Sequence, residues 1–296
     1  MPVRHGRMAV SPFTFYRGGA RIMAVDLRDT PRAGLDVQLC GDAHLSNFGV
    51  FASPERNMLF DLNDFDETLP GPFEYDVQRL AASFFIAGRN NGFTDAQSYN
   101  AALASVTSYR EAMAEFAEMG TLAVWYSRMQ ADEILDLIRS SATKQQLAAR
   151  KRGEKSTEKA LAKARTRDSL SALSKLGEMV DGQYRIVSQP PIVIPARELA
   201  PAMGLDPDEV QRTLRDQLRA YRATLDDDHR HLLDRFEVID VARKVVGVGS
   251  VGTRAFIALL QGRDLEDPLF LQVKEATNSV LEDSLPRSRY RHQGER

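Results

Sequence analysis

A chain of 296 residues with a formal net charge of −2, 43% hydrophobic and 27% charged residues, holds enough apolar material for one large core or two modest ones. That balance excludes general disorder, and the small net charge argues against nucleic acid or an anionic membrane as the main partner. The single cysteine, Cys40, excludes an internal disulfide, no apolar run reaches the roughly 18 residues of a membrane span, and no signal-peptide core opens the chain, so a cytoplasmic protein is expected.

In chain order, Ser11-Pro12-Phe13-Thr14-Phe15-Tyr16-Arg17-Gly18-Gly19 and then Met23-Ala24-Val25-Asp26-Leu27 read as a short helix or strand packing its aromatics on a core. Arg17 is the side chain there suited to phosphate, because a planar guanidinium grips phosphate bidentately. Next comes the most polar stretch, Leu39 to Glu67. Val37-Gln38-Leu39-Cys40 predicts a short buried strand and Gly41 a turn, after which Asp42, His44 and Asn47 can converge from one loop. A second apolar run, Asn57-Met58-Leu59-Phe60, delivers Asp61, with Asp64 and Asp66 close behind. Two strands ending in oxygen ligands suit a hard cation such as Mg²⁺, with Asn47, Asp61 and Asp64 as candidate ligands.

Leu69-Pro70-Gly71-Pro72-Phe73 predicts a rigid loop. Val77, Leu80, Ala81, Phe84 and Phe85 then fall on one face of a helix that Asn90-Asn91-Gly92 ends. Asp95 can cap the next helix, whose apolar face of Tyr99, Leu103, Val106, Met113 and Phe116 is expected in the core. Another helical stretch surrounds Ile134, Leu135, Leu137 and Ile138. Between Lys144 and Arg167 stand nine basic residues against Glu154 and Glu158, a local balance of 9 − 2 = +7, which reads as a solvated helix or mobile insertion. Ile192-Val193-Ile194 is a short strand, residues 206 to 235 are helical, and Asp226-Asp227-Asp228 is an exposed turn.

The second informative stretch begins at Arg243. Lys244-Val245-Val246 is a strand, Gly247-Val248-Gly249-Ser250-Val251-Gly252 a G-x-G-x-x-G loop, and Thr253 to Leu260 another strand; a turn leads to Leu269 through Lys274. A dinucleotide fold requires a helix after the glycines. Here the chain is β-rich and returns as a hairpin to a strand presenting Lys274, the arrangement of the kinase glycine loop and its phosphate-pairing lysine. Gly247, Gly249, Ser250, Gly252 and Lys274 are therefore candidates for binding the phosphates of ATP.

The spacings in the first stretch agree with that chemistry. In kinases a catalytic-loop Asp is followed five residues later by a metal-binding Asn, and a further metal-binding Asp follows a strand. Asp42 precedes Asn47 by five residues, and Asp61 lies fourteen beyond Asn47. Gly41-Asp42-Ala43-His44-Leu45-Ser46-Asn47 resembles the loop of the aminoglycoside and choline phosphotransferases, which carry Gly-Asp-x-His-x-x-Asn. Asp42, His44 and Lys274 are the catalytic candidates. The glycine loop follows the catalytic loop instead of preceding it, so the expected fold is α+β and kinase-like but circularly permuted. Residues 1–92 would form the catalytic-loop and metal-site segment, 93–235 a helical region with the basic insertion 144–167, and 236–296 a glycine-rich hairpin lobe.

The whole chain also resembles the bacterial domain of unknown function 2252 family. The resemblance rests on Phe15-Tyr16-Arg17-Gly18, on Gly41 through Gly49, on Phe60-Asp61-Leu62-Asn63-Asp64-Phe65-Asp66-Glu67, and on Val245 through Arg254 with Gln272-Val273-Lys274-Glu275-Ala276. It implies a longer protein, of which this chain is a truncated form; the arginine-rich residues 287–296 contain no aliphatic side chain to finish a core. Three readings follow. The first is an ATP- and Mg²⁺-dependent phosphotransferase acting on a small molecule, with Asp42 as base. The second is an inactive kinase-like nucleotide-binding module, with Glu282 as a candidate partner for Lys274. The third is a metal-dependent phosphoesterase, suggested by Gly-Asp-Ala-His and weakened by Leu45 and by the lack of further histidine ligands.

Overall fold

The computed structural model describes residues 2–140, 147–166, 169–202, 204, 206–244 and 254–296. They form a mixed α+β structure with small antiparallel sheets, divided into two compact units: residues 1–165 with 276–296, and residues 166–275. Among the described residues no helix is long and apolar enough to cross a membrane.

The first unit opens with three short helices, α1 (Pro2–Met8), α2 (Pro12–Arg17) and α3 (Ala20–Asp26). Ser11 caps α2 by accepting from Thr14 N, with Pro12 at the first helical position. Strand β1 (Asp36–Leu39) is followed by the hairpin of β2 (Phe48–Ala52) and β3 (Met58–Leu62) and by β4 (Leu69–Pro72). β1 pairs antiparallel with β4, so the expected proline loop is in fact a strand. The expected burial of β1 is confined to its end: Leu39, opposite Leu69, is buried, whereas Asp36, Val37 and Gln38 are exposed, Val37 even though it shares the face of Leu39. Leu39 and Leu69 form a core with Ala24, Leu27, Tyr75 and Leu281.

Helix α4 (Glu74–Asn90) then lies against the ribbon. Its buried residues are Tyr75, Arg79, Ser83, Ala87 and Gly88, a stripe rotated away from Val77, Leu80, Ala81, Phe84 and Phe85, which are only partly buried. The cap of α5 (Asp95–Glu118) is Thr94 and not Asp95: Thr94 Oγ1 accepts from Gln97 N, and the Gln97 side chain accepts from Thr94 N. The apolar stripe of α5 is not core either, since Tyr99, Leu103, Val106 and Met113 are exposed. α5 meets α4 through small residues: a Cβ on Gly88 would stand 2.6 Å from Ser98 Oγ. That close approach turns the large side chains outward. α6 (Thr121–Tyr126), α7 (Ala131–Ser140) and α8 (Leu147–Arg165) complete this part of the unit. The basic stretch is thus largely helix α8, anchored by Leu161 against Ala131 and Leu135 and by Arg139 pairing with Glu154 and Glu158.

The second unit contains α9 (Ser169–Leu176), the hairpin of β5 (Gly177–Val180) and β6 (Gln183–Ile186), β7 (Val193–Pro195), α10 (Ala196–Ala202), α11 (Pro207–Arg222), α12 (Asp227–Leu233), β8 (Glu237–Lys244), β9 (Ala255–Gln261) and β10 (Pro268–Lys274). The Asp226–Asp228 run starts α12 instead of standing apart as a turn. β10, β9, β8 and β7 form one antiparallel sheet in that order. Alternate residues of β9 feed two cores, Ile257 and Leu259 on one side and Ala258 and Leu260 on the other, as the two-residue period of a strand covered on both faces requires. The glycine segment, with Gly247, Gly249, Ser250 and Gly252, lies outside the described residues, between the antiparallel partners β8 and β9.

Candidate functional site

The site is built where β1 leaves the ribbon. Gly41 has φ +86°, and a Cβ there would stand 2.2 Å from the Glu67 carbonyl oxygen, so only glycine fits both the backbone and the space. The turn is held from α4: the Asp76 carboxylate accepts from Cys40 N at 2.7 Å through one oxygen and from Gly41 N at 3.0 Å through the other. Downstream, Leu45 N donates to Ser83 Oγ at 3.0 Å. Asp76, Arg79 and Ser83 lie on one side of the helix, which is the spacing that lets all three reach a single loop.

Within the loop, the Asp42 carbonyl accepts from His44 N at 2.8 Å and from Asn47 Nδ2 at 2.7 Å. The five-residue interval is therefore a closed turn. Arg79 donates from Nε to Asp42 Oδ1 and its Nη2 makes an ion-pair contact with the same oxygen, while Oδ2 lies 3.9 Å from His44 Nε2. Arg79 Nη2 also donates to the Tyr16 carbonyl at 3.1 Å, Tyr16 Oη donates to the Arg79 carbonyl at 2.8 Å, and the guanidinium lies 4.5 Å from the Tyr16 ring centre. Arg79 is thus fixed on both sides.

Burial pushes the Asp42 carboxyl up to about 7; Arg79 pulls it down, and Glu67 and Asp64 push it further up. Burial, then the charges of Arg79 and Arg17, lower His44 to about 4, so its imidazole is neutral at pH 7 and its contact with Asp42 is no ion pair at that pH. Burial likewise raises Asp76 against the opposing pull of its two amides, and pushes Cys40 up to about 12.

The structure brings Asp42, His44 and Asn47 into this one loop. Asn63 N donates to the Asn47 carbonyl at 3.1 Å, which sets Asn47 at the base of the β2–β3 hairpin. Asp61 stands further along β3 opposite Gly49, exposed and accepting from its own neighbour Leu62 N at 2.7 Å. It lies within the strand, not beyond it. Asp64 accepts from Asp66 N at 3.3 Å, and its charge reaches Asp42. Among the described residues no group of three or more His, Cys, Asp or Glu is placed to hold a metal ion. Asn47 Oδ1 and Asp61 Oδ2 carry no hydrogen bond among the described residues. An amide and a carboxylate oxygen are of the chemical type that Mg²⁺ takes as ligands.

Lys274 belongs to the second unit, at the exposed end of β10, opposite Ala255. Glu275 continues the ladder by donating from N to the Arg254 carbonyl at 2.8 Å, so Lys274 sits beside the exit of the glycine segment. Glu282 lies in a short 3-10 turn, Val280–Asp283, where it accepts from Asn278 Nδ2 and Ser288 N. No α-helix starts at Thr277 to carry it.

Sequence reasoning missed Asp76, Arg79 and Ser83. Polar residues at helical spacing directly after the acidic segment are the signal that marks them.

A loop of Asp, His and Asn pinned by one helix, with a buried guanidinium on its aspartate, has the character of a ligand-handling site in a mixed α+β protein. The chain belongs to the family described as an uncharacterized protein conserved in bacteria (DUF2252), whose model matches residues 1–296. Neither the curated proteins nor the solved structures contain a match to it.

Proposed function

We propose that the protein is an ATP-dependent phosphotransferase with a circularly permuted kinase-like fold, acting on a hydroxyl or amine of a small molecule. The observation that carries this reading is the closed Asp42–Asn47 turn. It fixes an aspartate whose Oδ1 is occupied by Arg79, whose Oδ2 meets, among the described residues, only His44 at 3.9 Å, and whose carboxyl is pushed up to about 7. A base titrating near the working pH accepts a proton most effectively. Oδ2 takes the acceptor's proton as the acceptor oxygen or nitrogen bonds to the γ-phosphorus and ADP leaves. Arg79 orients the carboxylate, and neutral His44 lines the same edge. Asn47 and Asp61, with Asp64 beside them, are the residues that would hold Mg²⁺, which supplies charge neutralisation at the phosphates.

The register of β10 supports the nucleotide half, because Lys274 lies opposite Ala255, the first residue of the strand that follows the glycine-rich sequence. A second reading, nucleotide binding without turnover, draws on the Arg79 contact, which already engages one Asp42 oxygen. The phosphoesterase reading lacks the histidine and carboxylate cluster it needs among the described residues. Titration of Mg·ATP into wild type and Lys274→Met, followed by ATP turnover in wild type and Asp42→Asn with a panel of small acceptors, decides among them. Binding that Lys274→Met weakens, with turnover that Asp42→Asn abolishes, fits the transferase; binding without turnover fits the second reading. Absence of ATP binding by the wild type removes both.

A further inference from the structure

We propose that Arg17, His44 and Arg79 form a binding site for a phosphate group, either inorganic phosphate or a monoester carried by a small molecule. His44 and Arg79 are 3% and 2% exposed, and each keeps one nitrogen, Nδ1 and Nη1 respectively, without a hydrogen-bond partner among the described residues. Buried polar groups are seldom left unpaired, because each has given up its bonds to water without a replacement. Two at one loop mark the place where a ligand supplies the missing partner. Nη1 donates to an oxyanion, and Nδ1 pairs with the same group either way: it donates in the Nδ1–H tautomer, or accepts from the hydroxyl of a monoprotonated phosphate in the Nε2–H tautomer that the Asp42 carboxylate favours.

Arg17 supplies the third group. It is half-buried at the end of α2 and its side chain makes no hydrogen bond or ion pair among the described residues, yet its charge bears on His44. Its backbone adjoins the Tyr16 carbonyl that accepts from Arg79 Nη2 at 3.1 Å, so the two arginines flank one peptide unit. Arg79 has Asp42 as counter-ion; Arg17 leaves one positive charge for an incoming anion. The acidic neighbours Asp64 and Glu67 act on Asp42 and are not among the groups that shift His44. Two guanidinium groups and an imidazole offer donors from more directions than a planar carboxylate uses, which favours a tetrahedral oxyanion.

The site stands without ATP or Mg²⁺, so its test is separate from that of the phosphotransferase reading. Inorganic phosphate, glycerol 3-phosphate and, as control, acetate are titrated calorimetrically into the whole chain with EDTA and no nucleotide. The ring nitrogens of His44 are followed by NMR in the same titrations. Saturable phosphate binding that shifts the His44 Nδ1 resonance, and that Arg17→Ala weakens by about tenfold or more, supports the site. The ester binding more tightly marks a substrate group and equal binding a free phosphate; both support it. No saturable binding, an unmoved His44 signal, equal binding of acetate, or an Arg17→Ala affinity equal to wild type overturns it.

Discussion

Arg79 and Tyr16 hold each other by three contacts: Tyr16 Oη to the Arg79 carbonyl at 2.8 Å, Arg79 Nη2 to the Tyr16 carbonyl at 3.1 Å, and the guanidinium over the ring at 4.5 Å. The same guanidinium grips Asp42. Arg79→Met removes the counter-charge of a largely buried carboxylate and is expected to cost about 3–5 kcal/mol in urea unfolding at pH 7. Tyr16→Phe removes one hydrogen bond and is expected to cost about 1 kcal/mol. Equal losses for the two variants would show that Asp42 is not what Arg79 stabilises.

Gly41 and Gly92 both have positive φ, +86° and +80°, but only Gly41 has a carbonyl in the way, Glu67 O at 2.2 Å from a built Cβ. Gly92→Ala is expected to cost about 1 kcal/mol, the conformational penalty alone. Gly41→Ala must also move the Glu67 backbone, and a loss of more than about 2 kcal/mol is expected. Thermal unfolding of the two variants side by side measures the difference.

Cys40 is buried and its thiol is pushed up to about 12. At pH 8 the thiolate fraction is then on the order of a thousandfold below that of an unfolded cysteine, and the thiolate is the reactive form. Alkylation by iodoacetamide should be very slow in buffer and fast in urea. Rapid labelling of the native protein would contradict the burial of this thiol.

His44 and Asp42 give opposite pH dependences. His44 falls from 6.5 to about 4 on folding, so between those values the unfolded chain binds the extra proton, and this contribution to stability is present above pH 6.5 and lost as pH falls towards 4. Asp42 rises from 3.8 to about 7, so the folded chain holds the extra proton there, and stability falls as pH rises through that window. From about pH 4 to 6.5 the two slopes oppose each other. Subtracting the stability curve of His44→Gln from that of wild type, in EDTA, should leave a slope towards about 1.4 kcal/mol per pH unit in that window. A flat difference would mean that His44 titrates normally.

The loop was legible because its chemistry is local: Gly41 at a left-handed turn and Asn47 five residues from Asp42 bond within a single turn. The hairpin that ends at Lys274 was legible from its β-rich runs and the turn between them, whereas of the hairpin around Asp61 only the second strand was, as the apolar run before Asp61. Helix α4 was placed correctly but oriented wrongly. Apolarity favoured Leu80 and Phe84, whereas the buried stripe includes Arg79 and Ser83, whose burial is compensated by bonds to distant residues that periodicity cannot register. For α5 the same criterion failed in the other direction: the Gly88–Ser98 approach chose the packing face, and Tyr99 and Leu103 were left outside it.

The first unit is closed by residues far along the chain: Ser279 Oγ donates to the Glu67 carbonyl at 2.7 Å, Val280 N to the Glu67 carboxylate at 2.6 Å, and Arg296 to the carbonyls of Asp66 and Thr68. The 110 residues from 166 to 275 are made in between. At about 5–20 residues per second, the ribosome leaves the N-terminal portion waiting roughly 5–20 s for its last partners, with Leu39 and Leu69 lacking Leu281 meanwhile. The second unit, contiguous in sequence, can fold during that interval. The order of completion is therefore inverted, with the unit that begins first on the ribosome finishing last.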